Sequence, residues 1–233
     1  MARLVARELS GGYPGVVVFS GASFSIESGE ILTVLGANGS GKSALLETLQ
    51  GLLAHRRGTI LLDGENVQDL APEARAARGM SLVSDRRRLF ADMTVDEHLR
   101  VGAFRAEARS GWRRRALDIR DVFTGLPRHR GARPAGLSGG LQQQLALARF
   151  GMSSPGAWLL DDPLQGLDAE MAGRVLEWIR GAARGGAAVM VTGQHIRALL
   201  GVATRAMFLE GGCLSAIPAG SGGVSDPRVR QLL

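Results

Sequence analysis

Gly36-Ala37-Asn38-Gly39-Ser40-Gly41-Lys42-Ser43 brings glycines, a lysine and a serine together at the spacing of a phosphate-binding loop. Glycines let the main chain wrap closely round an anion, and the amide N–H groups at a helix start point towards it. In such a loop Lys42 brings a compact positive charge to the β- and γ-phosphates of a nucleotide, and Ser43 brings an oxygen to Mg²⁺. Lys42 is the only lysine among the 28 Lys and Arg residues. A flexible point charge therefore stands at the one position where a planar fork would serve badly.

Two further clusters have chemistry to offer. Ser138-Gly139-Gly140 opens a run of helical periodicity, and a helix N-terminus with small residues is an anion site by virtue of its unpaired N–H groups and its dipole. Alone this is a weak signal, because Ser-Gly-Gly is also ordinary loop chemistry. The apolar run Trp158-Leu159-Leu160 ends in the adjacent carboxylates Asp161 and Asp162. A carboxylate at the C-terminal end of a parallel strand beside a phosphate loop is placed to hold Mg²⁺. A second one beside it can orient or deprotonate an attacking water.

These groups need a scaffold of strands and helices. Ile31–Leu35 is apolar and β-branched, as a strand buried on both faces should be, and Ala44 to Leu53 has apolar residues at helical spacing. The phosphate loop thus falls between a strand and a helix. Strands are also expected at 4–9, 16–19, 59–62, 80–83, 157–160, 187–192 and 206–209, with turns at Ser28-Gly29-Glu30 and Asp63-Gly64. Helices are expected at 72–78, 94–123, 138–150 and 168–180, the second opening on Thr94-Val95-Asp96-Glu97. Residues 221–233 are polar and are expected to fray. Alternating strands and helices predict an α/β fold with a mostly parallel sheet.

Composition narrows the field. A chain of 233 residues, 45% hydrophobic and 21% charged, suits one domain with an insert. A single cysteine excludes an intrachain disulfide and fits a reducing compartment. No stretch has the apolar length of a membrane span or of a leader, so a cytoplasmic protein is expected. The net charge of +6 raises the question of nucleic acid, but the arginine runs 86–88 and 113–115 lack interleaved aromatics for base stacking. No nucleic-acid partner is expected.

The ordered set of phosphate loop, Leu137-Ser138-Gly139-Gly140, Asp161-Asp162-Pro163 and Gly166-Leu167-Asp168 resembles the ATP-binding cassette (ABC) ATPase subunits, over essentially the whole chain. That resemblance implies a RecA-like P-loop core (about 1–90 and 153–220) with an antiparallel β edge. It also implies an inserted helical subdomain (about 91–152) and a tail (221–233). ATP and Mg²⁺ are the implied cofactors. Tyr13 would stack on adenine, and Gly36, Asn38, Gly39, Ser40, Gly41, Lys42 and Ser43 would hold the phosphates. Ser43, Asp85 and Asp161 would serve the metal, and Asp162 would stand as the base. Asp168 would sense a second cassette docked head to tail, whose Ser138, Gly139 and Gly140 would close the site. A narrower resemblance lies in residues 83–90 and 93–99. They look like the shorter of the two non-identical cassettes of branched-chain and hydrophobic amino acid importers. Integral membrane permeases would then be partners, and the chain would sit on the inner face of the plasma membrane.

Four positions depart from the family pattern. Asp162 stands where Glu is usual, Leu141 where Gln is usual, and Asp85 where the family has Gln or, in this branch, Glu. The switch position, usually His, falls on Gln194 without gaps and on His195 after a one-residue shift; the ungapped placement is preferred. Three functions fit: a hydrolysing importer subunit, a degenerate cassette that clamps ATP while its partner hydrolyses, and a soluble cassette ATPase. The first is favoured.

Overall fold

The computed structural model describes residues 2–104 and 111–233. Strand β1 (Ala2–Gly11) pairs antiparallel with β2 (Phe19–Glu27) and β4 (His55–Leu62), and β4 turns at Asp63-Gly64 into the short β5 (Glu65–Asn66). Asp63 and Gly64 both have positive φ, 49° and 86°, as the favoured two-residue hairpin turn requires. This sheet packs on one face of a second sheet of six strands, in the order β10-β9-β3-β8-β7-β6. Strands β3 (Ile31–Leu35), β6 (Met80–Val83), β7 (Ala157–Asp161), β8 (Ala188–Thr192) and β9 (Arg205–Glu210) run parallel, and β10 (Cys213–Ile217) adds an antiparallel edge.

The six-stranded sheet divides two cores. Alternate residues of one strand enter opposite cores, as a period of two dictates. Leu32, Leu159 and Met190 join Leu4, Leu9, Ile60 and helix α1 (Lys42–Gln50) on one side. Ile31, Leu160, Val189 and Val191 meet the helical layer on the other. That layer is built by α3 (Val95–Gly102), α4 (Trp112–Val122), α5 (Gly139–Met152) and α6 (Ala169–Arg184). At its centre Phe150 and Trp178 pack with Trp158 at centroid distances of 4.9 and 4.5 Å. Helix α2 (Pro72–Ala77) lies between β5 and β6.

Most expected elements are present, and four expectations change. Val16–Val18 form no strand, and Val16 and Val17 are exposed; the strand begins at Phe19, where pairing with β1 takes over. The expected helix at 94–123 comprises α3, capped by the reciprocal Thr94–Glu97 box, and α4, with 105–110 outside the described residues. Helix α7 (Ile196–Val202) and β10 were not expected. The tail does not fray: it folds as α8 (Gly220–Val224) and α9 (Pro227–Arg230), with Asp226 capping α9 and Val229 fully buried against the Phe208 cluster.

One buried cation holds the far end of α1. The Arg75 guanidinium, 2% exposed, donates to the carbonyls of Thr48 (3.0 Å), Leu49, Leu70 (3.0 Å) and Gln68. Two of these acceptors belong to the last turn of α1, where a cation also answers the helix dipole. Leaving buried carbonyls unpaired costs about 1–3 kcal/mol per group. Arg75→Met is therefore expected to lower unfolding free energy by on the order of 3 kcal/mol. Urea titration reads this as a lower midpoint at unchanged slope; a midpoint that stays in place contradicts it.

Candidate functional site

The C-terminal ends of β3, β8, β7 and β6 converge, the usual ligand position of an open parallel sheet. Val34 of β3 and Asp161 of β7 both pair in register with Thr192 of β8. The phosphate loop leaving β3 and the two carboxylates leaving β7 are thereby placed at one level. Between them lies a cavity of about 430 Å³, lined by Tyr13, Asn38, Gly39, Gly41, Lys42, Ser43, Asp85, Asp161, Asp162 and Gln194, with Val18, Ala44, Gln165 and Gly193.

The loop has the shape its glycines foretell. Gly41 has φ 106°, and a Cβ there would lie 2.7 Å from Val18 Cγ1; a Cβ at Gly36 would lie 2.4 Å from the Leu209 carbonyl oxygen. Gly41 stands at the N-cap of α1 with no side chain capping the helix and no acid in its first turn. The helix start is thus open to an anion. Lys42 Nζ donates to the carbonyls of Gly36 (2.7 Å) and Ala37 (2.8 Å), bridging its own loop. Burial lowers the Lys42 pKa, and Asp161 and Asp162 oppose that shift. Ser40 Oγ is buried and makes no hydrogen bond within the protein. A hydroxyl orphaned inside such a nest is satisfied when an anion supplies acceptor oxygens. These features fit a nucleotide phosphate chain.

Asp161 and Asp162 differ in setting. Asp161 Oδ1 accepts a 2.6 Å hydrogen bond from Thr192 Oγ1, which fixes the carboxylate in the wall of the cavity. Ser43, Asp161 and Asp85 offer one hydroxyl and two carboxylates to the same space. Mg²⁺ is commonly bound by such a small protein set, with phosphates and waters completing the shell. Asp162 has φ 45°, a left-handed backbone that Asp tolerates better than most residues. Burial raises its pKa, offset in part by the Gln194 N–H, which lies 3.5 Å from Oδ1, and by His195. A carboxylate so desolvated is a stronger base than a free one.

The two candidates for the switch position both adjoin Asp162. Gln194 lines the cavity, whereas His195 stands just outside it with Nδ1 3.9 Å from Asp162 Oδ1. Gly193 makes room for this meeting, since a Cβ there would lie 2.8 Å from Asp162 Oδ1 and 3.3 Å from its Cα. Gly193→Ala is expected to displace Asp162 and, in the ATP hydrolysis that the ABC resemblance implies, to lower turnover by on the order of tenfold without weakening nucleotide binding. Steady-state kinetics with a binding titration decides; wild-type turnover contradicts the tight fit.

Ser138, Gly139 and Gly140 are not brought to this cavity. Ser138 caps α5, and a Cβ on Gly140 would meet the Gly166 carbonyl at 2.9 Å. Asp168 caps α6 by accepting the Met171 N–H at 2.8 Å. Gln165, Thr192 and Gly193 belong to none of the sequence motifs, yet Gln165 and Gly193 line the cavity and Thr192 holds Asp161. The one signal for Thr192 is a polar residue ending an apolar strand. A second cavity of about 430 Å³ opens between the end of β6 and the helices, with Phe90, Val101, Phe104, Arg149 and Phe150 in its wall. Phe90, Val101 and Phe104 are exposed.

The sequence model of the family described as ABC transporter matches residues 19–165. The chain is 32% identical to the high-affinity branched-chain amino acid transport ATP-binding protein BraG of Pseudomonas aeruginosa, over 94% of each chain. It is also 32% identical to the glutamate/aspartate import ATP-binding protein GltL of Escherichia coli strain K12, over 90% of this chain and 88% of that one. Among solved structures, an ATP binding subunit of an ABC transporter superposes with a TM-score of 0.83 at 25% identity, over 91% of this chain and 89% of that chain.

Proposed function

The chain belongs to the ATP-binding cassettes of ABC transporters, a family of ATPases, and from that premise we propose that it is the ATP-hydrolysing subunit of a membrane importer. The observation that carries the proposal is the single cavity in which Lys42 and Ser43 face Asp161, Asp162 and Gln194. In it Tyr13 stacks on the base, the amides of 36–43 and Lys42 hold the phosphates, and Asp161, Ser43 and Asp85 would hold Mg²⁺. When bound, Mg²⁺ neutralises charge on the β- and γ-phosphates. Asp162 orients and deprotonates the attacking water, and the Gln194 N–H, two residues past the end of β8, holds its carboxylate.

Ser138 to Gly140 lie away from their own chain's cavity, which supports a site completed by a second cassette docked head to tail. We take that partner to be a non-identical cassette, because residues 83–99 resemble the shorter member of an unequal pair. The apolar cleft at Phe90, Val101 and Phe104 then receives a permease segment on the cytoplasmic face of the plasma membrane. No helix among the described residues is long and apolar enough to cross a membrane itself. The proposed solute class is branched-chain or other hydrophobic amino acids. BraG supports it over nearly its whole length, but GltL, whose name gives glutamate and aspartate, is equally identical. The likeness therefore speaks more for the motor than for the cargo.

Affinity purification from native membranes tests the proposal. It is expected to recover an integral membrane protein, and the recovered complex is expected to hydrolyse MgATP. The chain alone, without nucleotide, is expected to sediment as a monomer at micromolar concentration, because each composite site needs two chains. A stable nucleotide-free dimer, or a chain that purifies with no membrane protein, contradicts it.

A further inference from the structure

Arg87 and Arg88 have φ of 55° and 44°. Two successive long side chains in the left-handed region are costly, and such strain persists where the surroundings over-determine it. The turn sends the two side chains to different helices, Arg87 to α5 and Arg88 to α1. Arg87 donates through Nε to Gln143 Oε1 (3.0 Å) and through Nη1 to Gln142 Oε1 (3.2 Å). Gln143 is fully buried and directs its amide Nε2 to the main-chain carbonyls of Pro163 (3.1 Å) and Asp162 (3.4 Å). Arg88 reaches Glu47 on α1 at 3.1 Å. That pair is half-exposed and contributes little.

Arg149 fixes the turn from behind. Its Nη1 donates to the Arg88 carbonyl at 2.8 Å and its Nη2 to the Arg87 carbonyl at 3.2 Å, while the guanidinium lies 5.1 Å over the Phe90 ring. Phe90 is itself held in place: its N–H donates to His98 Nε2 at 3.0 Å. The contacts run without a gap from the wall of the apolar cleft, through Arg149 and the strained turn, along Arg87 and Gln143, to the backbone of Asp162.

We infer that Arg87, Gln143 and Arg149 are positioning residues that form a strut between the apolar cleft and the Asp162 backbone, and that the strut sets how far the Asp162 carboxylate reaches into the ATP site. The inference rests on the reading of Asp162 as the base. The strut grips only the carbonyl of that residue and makes no contact with the carboxylate, whose Oδ1 faces the Gln194 N–H and His195. Its grip matters because Asp is one methylene shorter than the Glu usual at this position, so reach depends on the backbone. An error of about 1 Å at a catalytic group costs on the order of 10²-fold in rate. An occupant of the cleft that moves Phe90 moves the cation holding the turn, and the base with it.

Three variants test the strut. Gln143→Glu keeps the acceptor for Arg87 and loses the donors to the carbonyls; Arg87→Ala removes the other end; the third combines both. Amide hydrogen exchange is read on nucleotide-free protein at Asp162, whose N–H donates to the Thr192 carbonyl at 3.0 Å. Each variant is expected to quicken that exchange by about tenfold or more while Leu159 and Leu160 keep theirs. In the assembled transporter each is expected to lower turnover by on the order of tenfold with KM for ATP unchanged, and the double variant to be no worse than the lower single. Wild-type exchange at Asp162 in both single variants overturns the strut, as do additive losses or a KM that rises as turnover falls. Asp162→Asn is run beside them. If it hydrolyses ATP as wild type does, the base reading fails, while the exchange data still report on the strut. If it does not, and the strut variants behave as wild type, the strut alone fails.

Discussion

Lys42→Ala is expected to weaken MgATP binding by on the order of 10²-fold, because hydrogen bonds to a charged group contribute about 1.5–3 kcal/mol and this is the one ammonium in the cradle. The fold should survive the change. Lys42 bridges the Gly36 and Ala37 carbonyls at the rim of the cavity, where water can replace it. Lys42→Arg is expected to rescue poorly. The loop accepts a compact ammonium within 2.8 Å of two carbonyls, and a planar guanidinium cannot take that place without pushing the loop open. Titration calorimetry on the isolated chain measures both variants, with thermal unfolding as a control. Unchanged affinity in Lys42→Ala would remove the phosphate loop from the account.

Asp162→Glu is expected to speed hydrolysis. The added methylene extends the carboxylate by roughly 1.5 Å towards a water placed for Glu, and a misplacement of about 1 Å costs on the order of 10²-fold. The wild-type site is accordingly expected to turn over slowly, the more so because Leu141 and Gln194 also depart from the family pattern. The pH dependence follows from burial, which raises the Asp162 pKa. The deprotonated form is the base, so turnover rises with pH through that pKa, and the rising limb lies above the ordinary carboxylate range. Asp162→Asn should erase the limb. An Asp162→Glu enzyme slower than wild type would mean that the site has adapted to Asp.

What was legible in the sequence was local. The strand–loop–helix around Lys42, the Thr94–Glu97 capping box and the Asp63-Gly64 turn each follow from neighbours in the chain, and each is present. Strands β7 and β8, apolar up to their last residues Asp161 and Thr192, were legible because burial on both faces leaves no alternation to misread. Phe19–Glu27 was not, since a run with three serines becomes a strand only through its pairing with β1. The valines at 16–18 looked like a strand, yet they form the loop beside Gly41. Val229 orders the tail through a contact with a distant cluster. Within the site, the residue types of the phosphate loop and the acids could be read in advance. The left-handed φ of Asp162, the Thr192 bond and the Gln143 grip could not, because each depends on a partner on another element, 20 or 31 residues away, or on backbone shape.

Single-turnover cleavage of MgATP by Asp162→Asn beside wild type, with both assembled on their natural partners and binding measured in the same samples, tests the division of labour between the two carboxylates most directly. The expected result is wild-type affinity, since the phosphate loop and Asp161 are intact, with cleavage slower by on the order of 10²-fold or more. Cleavage at the wild-type rate would contradict the account, because the base of the rate-limiting site would then lie in another chain and this one would act as a clamp.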